Sequence, residues 1–203
     1  LPIEAHQEIN VMGQADNGQS ALELIQTLKP DIAVMDFHLP GGPGPDKLDL
    51  IHQAKITHAS TQLIILTGET NPNILSLILK AGAQSVLSKN DLHDSFYFIQ
   101  CIYNTYQGTY CLPRGGTLGY AIHKASSLQD QFIHQLNPTE IQAVRLLANE
   151  IRHEKIAHTL DKSPDYIRQI LRNARNKLCI EHNHALKQYY HELFPIDYFK
   201  VIE

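Results

Sequence analysis

Apolar and polar positions over the first hundred residues alternate between short apolar runs and amphipathic stretches. A short apolar run bounded by turn residues indicates a buried strand, whereas apolar residues spaced by three or four indicate a helix. The pattern predicts strands at Ile9–Ala15, Asp31–Asp36, Gln62–Thr67 and Ser85–Ser88. It predicts helices at Gln19–Leu28, Asp46–His58, Asn71–Ala81 and Asp91–Tyr106. Because strands that alternate with helices form parallel sheets, this part of the chain is predicted to be an α/β domain.

The helical pattern weakens from Pro113 to Gln135 and then returns. We interpret residues 113–135 as a linker with room for one short helix, because glycine and serine are frequent there. Beyond it the pattern predicts helices at Thr139–Asn149 (with Pro138 at its first position), Glu154–Leu160, Asp165–Leu178 and Asn183–Tyr190. The tight turn 161–164 joins two of these helices, and two helices so joined form a helix-turn-helix. The predicted parts are residues 1–112, 113–135, 136–190 and a tail at 191–203.

Net charge separates the two predicted domains. Residues 1–134 carry seven basic and twelve acidic residues, whereas residues 135–190 carry nine basic and six acidic ones. A basic segment behind an acidic one suggests that the second domain lies near a polyanion.

Other compositional features exclude some classes of protein. Cysteine occurs at 101, 111 and 179 only, without a paired CxxC spacing, which favours a reducing compartment over a disulfide framework. No apolar run is long enough to span a membrane, so the protein is expected to be cytoplasmic without a membrane partner. The twelve histidines form no zinc pattern with cysteine, and no metal site is predicted from them.

The helix predicted at Asp165–Leu178 has a face of basic and amide side chains. Arg168, Arg172 and Arg175 share one face, with Gln169 beside them and Lys177 near the end. Arginine matches the two acceptors of guanine, glutamine pairs with adenine, and further cations neutralise phosphates. The alternative is that these side chains form a solvated basic face on an ordinary helix. The preceding short helix and capped turn favour the DNA-binding interpretation over this alternative.

A family resemblance rests on residues 136–186. The chain resembles the LuxR-type domain of NarL/FixJ response regulators in the run Leu136–Ala148, in Lys155-Ile-Ala, at Leu160 and in Arg175-Asn-Lys-Leu178. The resemblance implies that Tyr166, where the family has threonine or serine, lies near phosphate. It implies that Arg168, Gln169 and Arg172 face bases. The family usually has glycine at the positions of Glu150 and Asp161, where helices end in a left-handed conformation.

The front domain resembles the receiver domain of the same family. The matching segments are Asp31-Ile-Ala-Val-Met-Asp36 with Leu39-Pro40-Gly41 and Gly44, Leu66-Thr67-Gly68, and Ala81-Gly-Ala83 with Leu87-Ser-Lys89. Asn71-Pro-Asn-Ile-Leu-Ser is similar to the branch that contains the capsule-synthesis (Rcs) regulator. The expected fold is therefore a flavodoxin-like receiver joined to an all-α helix-turn-helix domain.

The resemblance implies a phosphoacceptor at Asp36, a switch hydroxyl at Thr67 and a phosphate-pairing Lys89. An aspartate carboxylate that attacks phosphorus becomes an acyl phosphate, whose charge can draw a loop into a second position. Taken singly, each of these three residues more often has a structural role. The interpretation as a phosphorylation site therefore depends on the three motifs occurring together and in the expected order. Val86 stands where the family commonly has an aromatic residue.

Receivers of this family hold Mg²⁺ with an acidic pair at the end of their first strand, and Asp36 would contribute to that site. Ile9–Ala15 resembles the second strand, so the resemblance implies that the first strand and the acidic pair precede Leu1. A chain that begins there is expected to bind Mg²⁺ and take phosphate poorly. Without the strand, its two neighbours in the sheet would expose unpaired backbone.

The sequence predicts a response regulator transcription factor and not an enzyme. We expect a histidine kinase to phosphorylate Asp36, and we expect the protein to bind double-stranded promoter DNA as a homodimer. One alternative is an auxiliary regulator with a degenerate receiver that acts without phosphate. A second alternative is a small phosphotransfer enzyme whose helical domain binds protein.

Overall fold

The computed structural model describes residues 9–42, 47–114 and 118–195, without the side chains of Leu118 and Tyr120. The chain divides into two compact units, the first ending at Ile122 and the second beginning at His123. The first unit contains the α/β part, and the second contains helices alone among its described residues.

The first unit is built on a parallel sheet. Its strands lie in the order β1 (Ile32–Asp36), β2 (Gln62–Thr67) and β3 (Ser85–Ser88). The helices are α1 (Gly18–Leu28), α2 (Lys47–Thr57), α3 (Pro72–Lys80) and α4 (Ser95–Tyr106), with a 3₁₀ helix at Lys89–His93. The strands and helices predicted for residues 16–106 are confirmed to within a few residues, with one exception. The last predicted helix is divided at Asp94, whose side chain caps the start of α4.

Burial explains the order of the strands. β2 is a nearly continuous apolar run, and Leu63, Ile64 and Ile65 are fully buried. A strand buried on both faces belongs at the centre of a parallel sheet. The register places Asp36 beside Leu66 and Thr67 beside Ser88, so the carboxyl ends of all three strands meet at one edge.

The strand predicted at Ile9–Ala15 is wrong, because the structure has no strand there. The sheet of the described residues consists of β1, β2 and β3, and this segment pairs with none of them. Backbone groups form a strand only where a neighbour satisfies them. Val11 and Met12 are accordingly 41% and 51% exposed.

The linker prediction underestimated the structure of residues 113–135. An 18-residue helix, α5 (Leu118–Gln135), occupies most of it. Buried residues recur at helical spacing at Ile122, Ala125, Gln129, Phe132 and Leu136. The glycines near its start and the polar Gln129 within the stripe obscured this pattern in the sequence.

The second unit contains the helix-turn-helix. After α5 come α6 (Pro138–Ala148), α7 (His153–Thr159), α8 (Pro164–Lys177) and α9 (Asn183–Leu193), close to the predicted bounds. Phe132 of α5 contacts the rings of Tyr189, Tyr190 and Phe194. The first residues of the predicted tail, 191–203, therefore belong to α9 and to the core of this unit. Residues 196–203 lie outside the described ranges.

Candidate functional sites

Asp36 and Lys89 meet at the carboxyl edge of the sheet. Lys89 Nζ donates to Asp36 Oδ2 at 2.7 Å, and the backbone N–H of His38 donates to Asp36 Oδ1 at 3.0 Å. Asp36 ends β1, and Lys89 begins the 3₁₀ helix directly after β3. Each carboxylate oxygen therefore has one donor, in a side chain that is still 37% exposed. A ligand can reach the carboxylate from solvent.

Two opposing effects set the pKa of Asp36. Burial raises it, but the hydrogen bonds from Lys89 and from the His38 backbone outweigh burial. The pKa lies below the ordinary aspartate value of 3.8, so the carboxylate is ionised at neutral pH. An ionised carboxylate is the form that can act as a nucleophile.

Replacing Lys89 with Met is expected to raise the pKa of Asp36, because the strongest stabilising donor is lost while burial remains. A carboxylate NMR titration of Asp36 measures this shift. Since the wild-type pKa is depressed, Asp36 stabilises the fold above the unfolded-state pKa, and this contribution is lost as pH falls through the folded value. Lys89→Met reduces that contribution. Lys124→Met changes the charge equally in the other unit and is expected to leave Asp36 unchanged; an unshifted titration in both variants contradicts the pairing.

Thr67 lies at the same edge, at the end of β2. Its side chain is fully buried, and its Oγ1 accepts the backbone N–H of Glu69 at 3.0 Å. The hydroxyl proton is not used in that bond. A Cβ placed on the adjacent Gly68 would find no heavy atom within 4 Å, so the open space lies at Gly68. Because Thr67 itself has no exposed surface, its hydroxyl would have to turn towards that space to donate to an oxygen bound next to Asp36.

The loops after β1 and β2 are also joined by a pair that the sequence analysis did not identify. His38 Nε2 lies 3.7 Å from Glu69 Oε1. Each residue lies two positions after a predicted site residue, Asp36 or Thr67. The sequence signal available for this pair was that both residues follow, by the same two positions, strand ends that meet at one edge of the sheet.

The turn before α8 has the geometry of a capped helix start. Ser163 Oγ accepts the backbone N–H of Tyr166 at 3.2 Å, and Pro164 occupies the first turn. Asp161 and Glu150 have φ angles of 51° and 60°. Both residues stand where the family usually has glycine, and both have the left-handed conformation expected at the ends of α6 and α7.

The exposed face of α8 presents three of the predicted base-reading residues. Arg168, Gln169 and Arg172 are all exposed, whereas the opposite face is buried through Ile167, Ile170, Leu171 and Ala174. Because a helix turns by about 100° per residue, Arg168, Arg172 and Gln169 span an arc of about 100°. Arg172 Nη2 donates to Gln169 Oε1, and Gln169 Nε2 donates to Asn173 Oδ1 at 3.0 Å.

Three other predicted residues lie towards the sides of this arc. Arg175 is half-buried, and its Nη1 donates to the backbone oxygen of Glu181 at 2.7 Å. Lys177 Nζ donates to Glu140 Oε2 at 2.7 Å, and Glu140 itself is 3% exposed. Tyr166 is 46% exposed, near the start of the helix. The structure thus brings together Arg168, Gln169 and Arg172, while Arg175 and Lys177 also hold the unit together.

Lys177→Ala is expected to lower the free energy of unfolding of the helical unit by about 1–2 kcal/mol, because it leaves the Glu140 carboxylate buried without its cation. The loss is smaller than for a fully buried pair, since the lysine side chain is 44% exposed. Urea unfolding measures it. A second variant, Lys177→Ala with Glu140→Gln, removes the uncompensated charge and recovers part of the loss. Unchanged stability together with weaker binding to every duplex would instead make Lys177 a phosphate contact.

In the described ranges, no group of three His, Cys, Asp or Glu side chains could hold a metal ion. None of the described helices has the length and apolar character that crossing a membrane requires.

The comparison with protein families decides what the α/β part is. Residues 3–95 match the model described as "Response regulator receiver domain". The chain contains a response regulator receiver domain. This domain includes Asp36, Thr67 and Lys89, which lie at the carboxyl edge of the sheet.

Homologues cover both units. NarL, the nitrate/nitrite response regulator protein of Escherichia coli K12, is 22% identical over 176 residues, which are 86% of this chain and 79% of NarL. RcsB, a transcriptional regulatory protein of the same strain, is 25% identical over 191 residues, which are 92% of this chain and 84% of RcsB. The chain is therefore homologous to NarL and RcsB, and the resemblance to the Rcs branch is confirmed.

Solved structures agree with this fold. RcsB from Salmonella enterica serovar Typhimurium, bound to promoter P1flhDC, has a TM-score of 0.56 at 23% identity and covers 94% of this chain and 89% of its own. A structure of two RcsB dimers bound to two parallel DNAs has the same score, identity and coverage. At this identity the likeness shows that the receiver and the helical C-terminal unit share the RcsB fold.

Proposed function

We propose that this response regulator is phosphorylated on Asp36 by a histidine kinase and binds promoter DNA through α7 and α8. The observation that carries the proposal is the exposed group Arg168, Gln169 and Arg172 on a helix that follows a short capped turn, in a chain whose receiver domain holds Asp36 against Lys89. The DNA-bound RcsB structures support it.

The proposed DNA surface uses each side chain for a different task. Arg168 and Arg172 can donate two hydrogen bonds each to the major-groove edge of guanine, and Gln169 can pair with adenine. Tyr166, Arg175 and Lys177 lie near the sides of the face, where phosphate contacts fix the register of the helix. For Arg175 and Lys177, such contacts compete with their present bonds to Glu181 and Glu140.

The proposed phosphoryl transfer begins with the ionised Asp36 carboxylate. One of its oxygens forms a bond to phosphorus, while the bond between phosphorus and the donor's leaving group breaks. Lys89 then pairs with a phosphoryl oxygen, and the Thr67 hydroxyl donates to another. Lys89 Nζ would have to leave Asp36 Oδ2 in order to pair with the phosphoryl group. The 3₁₀ helix that begins at Lys89 can shift as this side chain moves.

Mg²⁺ is the proposed cofactor of this step, with Asp36 supplying one oxygen. It would neutralise charge on the phosphoryl oxygens when bound. The residues in the described ranges do not form a complete site for it. Labelling of this chain is therefore expected to be slow.

We further propose a homodimer on paired DNA half-sites, because helix-turn-helix dimers match their symmetry to that of their operators. The RcsB dimers bound to DNA support this proposal. We also propose residues 1–112 as the receiver and residues 136–190 as the core of the DNA-binding domain. The packing of Phe132 suggests that the second half of α5 folds with the latter.

The test uses the full chain, acetyl phosphate and Mg²⁺, with intact mass and duplex affinity as readouts. Slow, Mg²⁺-dependent addition of one phosphoryl group is expected for the wild type and none for Asp36→Asn, with a change in DNA affinity in the wild type alone. DNA binding without labelling would instead favour the phosphorylation-independent regulator, which is the second candidate because the residues of the described ranges do not complete a magnesium site.

A further inference from the structure

The exposed face of α8 contains one acidic residue, although it is proposed to face a polyanion. Asp165 is the sole aspartate or glutamate of this helix, and its side chain is 89% exposed. It precedes Arg172 by seven residues, and seven residues make nearly two full turns. Asp165 therefore lies in line with the proposed base-reading residues, and the sequence analysis did not select it.

Asp165 is bonded to one of those residues. Arg168 Nη1 donates to Asp165 Oδ1, in an ion pair between positions separated by three. By contrast, Arg172 is held by the neutral Gln169. Arginine has five N–H donors in a planar fork, so Arg168 can keep a bond to Asp165 while two other donors meet guanine.

A carboxylate at this position weakens binding to every duplex, because it lies near phosphates that carry the same negative charge. Two arrangements offset the cost: a guanine that holds Arg168 against Asp165, or a cytosine whose amino group donates to the carboxylate. A duplex that offers neither leaves the carboxylate uncompensated. Repulsion of this kind discriminates among sequences without adding affinity.

We propose that Asp165 is a specificity-determining residue of the α8 surface, which orients Arg168 and penalises duplexes that lack a matching guanine or cytosine. The proposal rests on the proposed function. A purely structural role is the competing explanation, because an acid in the first turn of a helix stabilises the helix dipole and an exposed pair adds a little helix stability. That role predicts a change in melting temperature and no change in sequence preference.

The experiment selects duplexes from a randomised library with the full-length wild type and with Asp165→Asn. Affinity is then measured on the wild-type selected duplex and on a shuffled one. Asp165→Asn is expected to bind the shuffled duplex several-fold more tightly, because a repulsive charge is removed. The ratio of the two affinities is expected to fall by about tenfold or more, and the selected sequences lose one guanine or cytosine position.

Two further variants separate the explanations. Glu192→Gln removes one negative charge from an exposed position on α9 and is expected to leave the affinity ratio unchanged. In an Arg168→Ala background, Asp165→Asn should lose the part of its effect on the ratio that depends on the orientation of Arg168, while it still tightens binding to the shuffled duplex because the repulsive charge is removed.

An unchanged ratio and unchanged selected sequences in Asp165→Asn would overturn the inference while leaving DNA binding intact. Equal falls in the ratio for Asp165→Asn and Glu192→Gln would also overturn it, since net charge would then be the cause. Failure of the wild type to bind any duplex would overturn the proposed function itself.

Discussion

Arg172→Ala is expected to weaken binding to the selected duplex by about 5- to 150-fold, and binding to a shuffled duplex by much less. A bidentate contact from arginine to guanine contributes about 1–3 kcal/mol of discrimination, which corresponds to this range. Arg172 is exposed in the middle of α8, and its partner on the protein is neutral. It can therefore turn to a base without breaking an ion pair. Fluorescence anisotropy on the two duplexes measures the effect.

Lys124→Ala is the matched control for Arg172→Ala. It removes one positive charge from an exposed position of α5 in the same unit and is expected to change both affinities alike. An equal loss on both duplexes for Arg172→Ala would show that Arg172 contacts phosphate and not a base.

Phe132→Ala is expected to lower the free energy of unfolding of the helical unit by about 3–5 kcal/mol. The ring is fully buried and contacts Phe194 at 5.3 Å and Tyr190 at 5.9 Å between centroids. Truncation removes these contacts and leaves a cavity. Urea unfolding followed by helical circular dichroism measures the loss.

Gln131→Ala changes the neighbouring exposed position of the same helix and is expected to stay within about 0.5 kcal/mol of the wild type. A similarly small effect of Phe132→Ala would show that α5 is dispensable for the helical unit. The interpretation of residues 113–135 as a linker would then be restored.

Much of the fold was predictable because its signals are local. The apolar run of β2 and the spacing of Ile167, Ile170, Leu171 and Ala174 on α8 each specify an element without reference to distant residues. The candidate phosphoacceptor site was predictable for a related reason. Strand ends in a parallel sheet meet at one edge, so motifs that follow three strands lie together.

The wrong predictions depended on partners that local patterns do not reveal. Ile9–Ala15 has the composition of a strand, but a strand forms only beside another. α5 was underestimated because Gln129, a polar residue in a buried stripe, is stabilised by a bond from its Nε2 to the backbone oxygen of Leu193 at 2.7 Å. That contact joins residues 64 positions apart.

The DNA face shows the same limit. Helical spacing places Lys177 near a border of the exposed arc but cannot reveal its bond to Glu140, which comes from another helix. The sequence pattern does not distinguish Asp165, because one acid among cations and amides forms no motif. Its bond to Arg168, one turn further along the helix, becomes visible only in the structure.

The central claim is that the helical unit of this response regulator binds DNA, and the dependence of its affinity on salt tests that claim most directly. The account predicts that the wild type binds a selected duplex and that log affinity falls linearly with log salt concentration. Four phosphate contacts would lower the affinity by about a hundredfold between roughly 50 and 200 mM salt. No binding, or an affinity independent of salt, would contradict the account and favour a helical domain that binds protein.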